Sequence, residues 1–414
     1  MRNEILAHLN DPGHLERLYR NNKVPFKREF STIYPELRGN ALADFWNERL
    51  HYETDDINWG TTRELLLVII AGLIAGLIAK IPSIFPIDAE FFYPRNIGFI
   101  FLPLLLAYFA WKNNLQPKRL AVMGGIMLIS LVYINSLPAS TTSDTLVLAC
   151  IHLLVLLWVL LGAAFVGNNL TDYSKRLDYL RYNGDLVVMT TLILIAGAIM
   201  TGLTIGLFSL IGFWIEQLYF EYVGIFGLAA APIVGTYLTQ TNPQLVSKVS
   251  PVIAKIFSPL VLITLVIYLG AIVYSGKDPY NDREFLIIFN LLLIGVMAII
   301  FFSVAESSRS NASTSANWVL LLLSVVTILV NGIALSAILF RIAEWGITPN
   351  RLAVMGGNML MLVNLLLVTV KLLRVVQSKA DTNQVGNVIA RYLPIYAVWA
   401  VVVLYLFPFL FGFK

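Results

Sequence analysis

The stretch "RIAEWGITPNR" carries Arg341, Glu344 and Arg351. Arg341 and Glu344 are three residues apart, a spacing that places both on one helical face within reach of an ion pair. Arg351 follows across a Gly-Ile-Thr-Pro turn. A cation–carboxylate–cation group at a membrane boundary could hold an anionic headgroup or gate a path. The same residues could equally be a turn staple whose arginine heads reach the interface. Arg351 also has a counterpart: "RLAVMGGIML" from Arg119 and "RLAVMGGNML" from Arg351 agree at nine of ten positions, each just behind a proline, Pro117 or Pro349. Arg119 therefore joins the candidates. His152 in "LACIHLLVLLW" lies within an apolar run, and an ionisable group inside a membrane is a functional candidate by default. A neutral imidazole satisfied by a neighbouring helix is the plainer alternative. Asn135, Asn290, Asn331, Asn358 and Asn364 could line a polar path, Asn358 foremost because it sits in the second copy of the motif. Interhelical hydrogen bonds worth about 0.6–2 kcal/mol each are the competing use of such amides.

No catalytic constellation accompanies these residues. Walker A, H-E-x-x-H, G-x-S-x-G and dinucleotide fingerprints are all missing. The expectation is a protein that is not an enzyme and needs no cofactor. Cys150 is the single cysteine, which excludes a disulfide or a multi-cysteine metal site within one chain. Asp278, Asp282 and Glu284 in "SGKDPYNDRE" lack the spacing of a twelve-residue calcium loop, so no metal is expected either.

The elements that must position the candidates follow from composition. The chain is 58% hydrophobic and 13% charged, with a mean hydropathy of +0.75; soluble domains carry about 25% charged residues. Residues 1–60 hold eight Lys/Arg and ten Asp/Glu of the 54 charged residues. The chain thus reads as a polar helical segment over 1–61 and a transmembrane domain over 62–414. In the first, Asp11 and Pro12 suit an N-cap and a first helical position. Phe26 with Phe30, and Leu42 with Phe45 and Trp46, are spaced for one apolar face.

Beyond residue 62 the apolar runs are long enough to cross a bilayer, which takes about 20 residues. They fall near 63–81, 95–111, 120–137, 144–167, 186–213, 221–240, 251–274, 284–304, 316–341, 351–373 and 391–412, eleven in all. The predicted class is all-α, a polytopic transmembrane helix bundle. With the N-terminus cytoplasmic, fourteen Lys/Arg flank the spans inside against seven outside, the bias expected of that orientation. The pI near 9.0 reflects these flanking cations, and no basic patch with interleaved aromatics points to nucleic acid.

The repeat extends upstream, where "FIFLPLLLAYFAW" is similar to "GIALSAILFRIAEW". A helix, a Pro-containing connection and a second helix therefore read as an internal duplication. Six spans separate the two motif helices, which would run in opposite directions. Inverted repeats of this kind occur in many secondary transporters, whose sites form at the repeat interface. Gly72 and Gly76, and Ala198, Gly202 and Gly206, place small residues every fourth position; these predict close helix crossings or a homo-oligomer contact.

Val266–Val296 and Ala334–Met355 resemble the late spans of a family of bacterial inner-membrane proteins known only as a domain of unknown function. The likeness rests on an R-I-x-x-(Y/W)-G-(L/I)-T-P-N-R signature, matched by Arg341, Ile342, Trp345, Gly346, Ile347, Thr348, Pro349, Asn350 and Arg351. It is similar from Asp185 to about Val376, departs in the polar segment and in stopping soon after the last span, and implies fold and location without an activity. Together these readings predict a membrane protein that binds or moves a small molecule or lipid, with membrane lipids as its partners. The alternative is a scaffold or sensor that docks a protein partner through residues 1–61.

Overall fold

The fold is a computed structural model that describes residues 2–21, 23–52, 59–138, 143–210, 213–247, 249–275, 280, 283–307 and 314–413. It divides into two units, Met1–Trp59 and Gly60–Lys414.

The first unit contains the helices α1 (Arg2–Ala7), α2 (Pro12–Asn21), α3 (Lys23–Leu37) and α4 (Ala41–Tyr52). The Asp11 carboxylate accepts from the N–H of His14 at 3.0 Å, and the Asn40 amide oxygen accepts from Leu42 and Ala43, so polar side chains start α2 and α4. Phe26, Phe30 and Trp46 bury together with Ile5, Leu15, Ile33 and Leu50. Phe45 corrects the expected α4 face: it is 59% exposed, and Ala43 and Leu50 take the inward positions instead. Arg49 stacks on Trp46 at 4.8 Å and pairs with Glu16 at 3.0 Å. The hydrogen bond from Arg20 holds the Glu16 carboxyl below the usual range.

Among the described residues of the second unit, eleven helices are long and apolar enough to cross a membrane. They are α5 (Thr62–Ala79), α7 (Ala89–Lys112), α8 (Pro117–Ser136), α9 (Asp144–Val166), α10 (Tyr173–Leu210), the compound span Glu216–Thr241, α14 (Ser250–Ser275), α15 (Arg283–Ser307), α16 (Thr314–Trp345), α17 (Pro349–Val376) and α18 (Thr382–Tyr405). The compound span is α11 (Glu216–Tyr219), a π-helical turn over Phe220–Gly224 and α12 (Ile225–Thr241). Short pieces α6 (Ile81–Ile84), α13 (Pro243–Ser247) and α19 (Phe407–Leu410) sit at span ends. The protein is therefore all-α and has the build of a multi-pass membrane protein. Thr61, Asp88, Ser143 and Thr348 cap α5, α7, α9 and α17 with side-chain oxygens. Pro117 and Pro349 open α8 and α17, where the missing N–H costs nothing.

Two expected spans are displaced. The run expected over 186–213 belongs to a helix that starts at Tyr173, and the one expected over 391–412 is α18, Thr382–Tyr405. In both cases the helix opens with polar turns that lower its hydropathy, and in α10 protein receives one of those charges. Arg181 of α10 pairs with Asp178 at 2.6 Å and with Glu306 of α15 at 3.3 Å.

The membrane unit holds two large cores. One is built by α5, α7, α8, α9 and α12 around residues such as Ala75, Leu105, Phe109, Leu157 and Tyr237. The other is built by α14 to α18 around Phe289, Ile300, Leu323, Leu365 and Ile389. The start of α10 is wedged between them, giving Tyr179 and Tyr182 to the first and Leu177 and Leu180 to the second. Its later part differs: no residue of α10 beyond Met189 is buried.

Candidate functional site

The two cores meet where α9 packs on α18, and Trp158 touches both of them. At this junction lies a cavity of about 180 Å³, lined by α9 (Trp158, Val159, Gly162, Ala163, Val166), Leu170, the start of α10 (Arg176, Tyr179) and α18 (Leu393, Pro394, Ala397). Its wall is almost wholly apolar, with Arg176 as the charged group.

Each part of the wall has a local cause. Pro394 has no N–H, so the carbonyl of Ala390 one turn earlier in α18 loses its intrahelical donor. Arg176 supplies one: Nη1 donates to Ala390 O at 3.0 Å. Its Nε and Nη2 donate to Leu170 O at 2.9 and 2.6 Å, which ties down the connection from α9. Gly162 is glycine because a Cβ there would lie 2.6 Å from the ring of Tyr179. That close approach lets the Tyr179 hydroxyl donate to Trp158 O at 2.7 Å. The Trp158 indole N–H donates to Asn183 at 2.9 Å, fixing the ring that joins the cores.

Every acceptor of Arg176 is a neutral carbonyl, and among the described residues it forms no ion pair. Its ring contact is Tyr173 at 5.4 Å. A whole positive charge therefore stands beside an apolar cavity. That pairing suits an anionic head with an apolar tail: a 150 Å³ apolar cavity holds benzene, so this one has room for a ring or for about six carbons of a chain.

The residues singled out by sequence lie elsewhere. Arg341 and Arg351 do converge, but on an indole: their guanidinium carbons stand 5.1 and 5.6 Å from the Trp345 ring. Glu344 is exposed and forms no ion pair with either, so the expected cation–carboxylate–cation group is not assembled. The reason is the helix end. Arg351 donates to the free carbonyls of Trp345 and Gly346 at 3.0 and 2.7 Å, which competes with a carboxylate disfavoured at a C-terminus. Arg119 does the same for a different helix, donating to Gly167 O at the end of α9 at 3.2 Å. His152 bonds Leu148 O of its own helix at 2.8 Å.

Residue 358 is buried and joins three helices: the Asn358 side-chain amide donates to Asn290 of α15 at 2.7 Å, and its backbone carbonyl accepts from Asn331 of α16 at 3.2 Å. Asn135 instead pairs reciprocally with Asn96 of α7 at 2.9 Å, and Asn364 donates to Tyr396 at 3.1 Å. The asparagines thus occupy three places rather than one path. Asp278 and Asp282, and the side chain of Glu284, lie outside the described residues.

Sequence reading passed over Arg176 because it counted only as a flanking cation. The signal was present in Pro394, which interrupts an apolar helix and must leave a carbonyl open. Further ionic groups were also missed. The Glu64 carboxylate accepts from Tyr108 at 2.6 Å with Lys112 at 3.7 Å, and Lys80 lies between Glu221 at 3.3 Å and the Tyr222 ring at 3.4 Å. Compared with protein-family models, with curated proteins and with solved structures, this chain shows no match.

Proposed function

We propose that this membrane protein binds an anionic amphiphile, a lipid or lipid-like small molecule, at the junction of α9, α10 and α18, and moves it within or across the bilayer. The observation that carries the proposal is the 180 Å³ apolar cavity with the Arg176 guanidinium at its wall, placed where two separately packed helix groups meet. Sites between helix groups are where such proteins form ligand pockets. The resemblance of Arg341–Arg351 to a bacterial inner-membrane family belongs to the same proposal, as do an inner-membrane location, a cytoplasmic N-terminus and the lack of enzymatic activity.

The test is lipid retention by the purified chain. Anionic lipid should co-purify with the wild type and be lost from Arg176→Gln and from Ala397→Phe, which fills the cavity. Brominated acyl chains should quench a fluorescence component that Trp158→Phe removes. Equal lipid retention in all three proteins would sink the reading.

A second reading has its own support. The first unit has its own core and leaves Leu6, Phe45 and Trp59 at least 40% exposed, which suits a surface that docks a protein partner. Deleting residues 2–55 separates the two: lipid binding at the junction should survive, and partner capture should not.

A further inference from the structure

A second charged group lies at the far end of α9 from Arg176. Arg95 is the seventh residue of α7, about 9 Å along the helix from its start. It stands level with the last turn of α8, because the neighbouring Asn96 pairs with Asn135 there. Its donors reach Phe91 O at 3.2 Å and Pro138 O at 3.3 Å, and its guanidinium lies 4.0 Å from the Phe91 ring.

Arg95 is only 4% exposed. Among the described residues its buried Nε has no acceptor and it forms no ion pair. A guanidinium has five N–H bonds and cannot give up its proton. Two carbonyls and a ring face therefore leave the charge uncompensated and part of the donor fork unused. Burying a charge is costly unless it is paired, and partnerless ionisable groups within membrane proteins mark sites. A staple for Pro138 alone would need only a neutral donor such as glutamine.

We infer that Arg95 is an anion site, and that its ligand presents phosphate oxygens, which match a guanidinium fork in geometry as well as charge. The source is a lipid headgroup phosphate or free phosphate, since the residue lies near a helix end at membrane-boundary depth. This site is independent of the junction cavity and stands or falls without it.

The full chain is purified in a non-ionic detergent, and its thermal midpoint is followed against inorganic phosphate and against chloride at equal ionic strength. The series is repeated in bilayer discs of zwitterionic lipid with and without phosphatidylglycerol. Wild type should gain at least about 2 °C in a saturable manner. A gain with phosphate identifies the free anion, and a gain confined to phosphatidylglycerol identifies the headgroup; either supports the site. Arg95→Gln should stay flat throughout. Arg95→Lys, which keeps the charge but loses the fork, should respond with about tenfold weaker apparent affinity and decides the matter should the glutamine variant not accumulate. A wild type indifferent to both anions, or a variant that responds as wild type does, overturns the inference.

Discussion

The two hairpins that share "RLAVMGG" differ more than their sequences do. Relative to α9 they are inverted: Arg119 at the start of α8 reaches Gly167 at the C-terminal end of α9, whereas Ala353 at the start of α17 packs with Leu148 near its N-terminal end. Their neighbours do not correspond. The helices α16 and α17 pack extensively, while α7 packs mainly on α9 and only lightly on α8. A Cβ on Gly124 or Gly125 would meet nothing, whereas one on Gly356 would lie 2.1 Å from the ring of Trp399. The single mismatch between the ten-residue copies is Ile126 against Asn358, and the Asn358 side chain adds a bond from α17 to Asn290 of α15 that an isoleucine cannot make. One exchanged side chain marks the difference between a peripheral helix and a central one. The functional proposal rests on the junction cavity at α9, α10 and α18.

The comparison can be broken by paired substitutions. The largest difference is expected from Gly356→Ala against Gly124→Ala. The first forces overpacking against Trp399 and should cost about 1–3 kcal/mol, while the second should stay within about 0.5 kcal/mol; reversible unfolding in mixed micelles measures both. Next, Asn358→Leu should destabilise by about 1–2 kcal/mol, against no measurable loss for Ile126→Leu. A double-mutant cycle with Asn290→Leu should return most of the Asn358 effect as coupling. Thr348→Ala removes the oxygen that accepts from Arg351 N at 3.3 Å and should cost about 1 kcal/mol. Gln116→Ala, whose side chain makes no cap, should be silent. The smallest measurable losses are expected for Arg351→Gln and Arg119→Gln, each about 0.3–1 kcal/mol for a lost cation at a helix C-terminus. An Arg119 effect as large as that of Gly356 would mean that the first hairpin is not peripheral.

Much of the architecture was legible in the residues. The apolar runs announced eleven helices because a bilayer demands about 20 such residues, and Pro117 and Pro349 marked two starts that the fold keeps. Periodicity was a poorer guide on helices apolar all round, where every face looks alike; nothing in α7 or α16 distinguishes the helix that leaves its hairpin partner from the one that keeps it. Local spacing misled at Glu344, since three-residue separation allows a pair but the unsatisfied carbonyls beyond Trp345 claim Arg351. For Arg176 the difficulty was the opposite: Pro394 signals an open carbonyl, but which side chain fills it is decided only by packing, which brings Leu170 O and Ala390 O together.

The later part of α10 has a mechanical consequence. Its base is clamped by Arg181 to Asp178 and Glu306 and by Asp185 to Ser250. From Thr191 to Leu210 it has no buried residue, a largely exposed arm about 30 Å long at 1.5 Å per residue. Leu210 lies about 38 Å beyond Asp185, so a tilt of about 10° at the clamp would sweep the tip through about 7 Å, enough to trade one row of lipid contacts for the next. Any small rearrangement between the two cores, between which the base is wedged, would thereby be magnified at the opposite end of the helix.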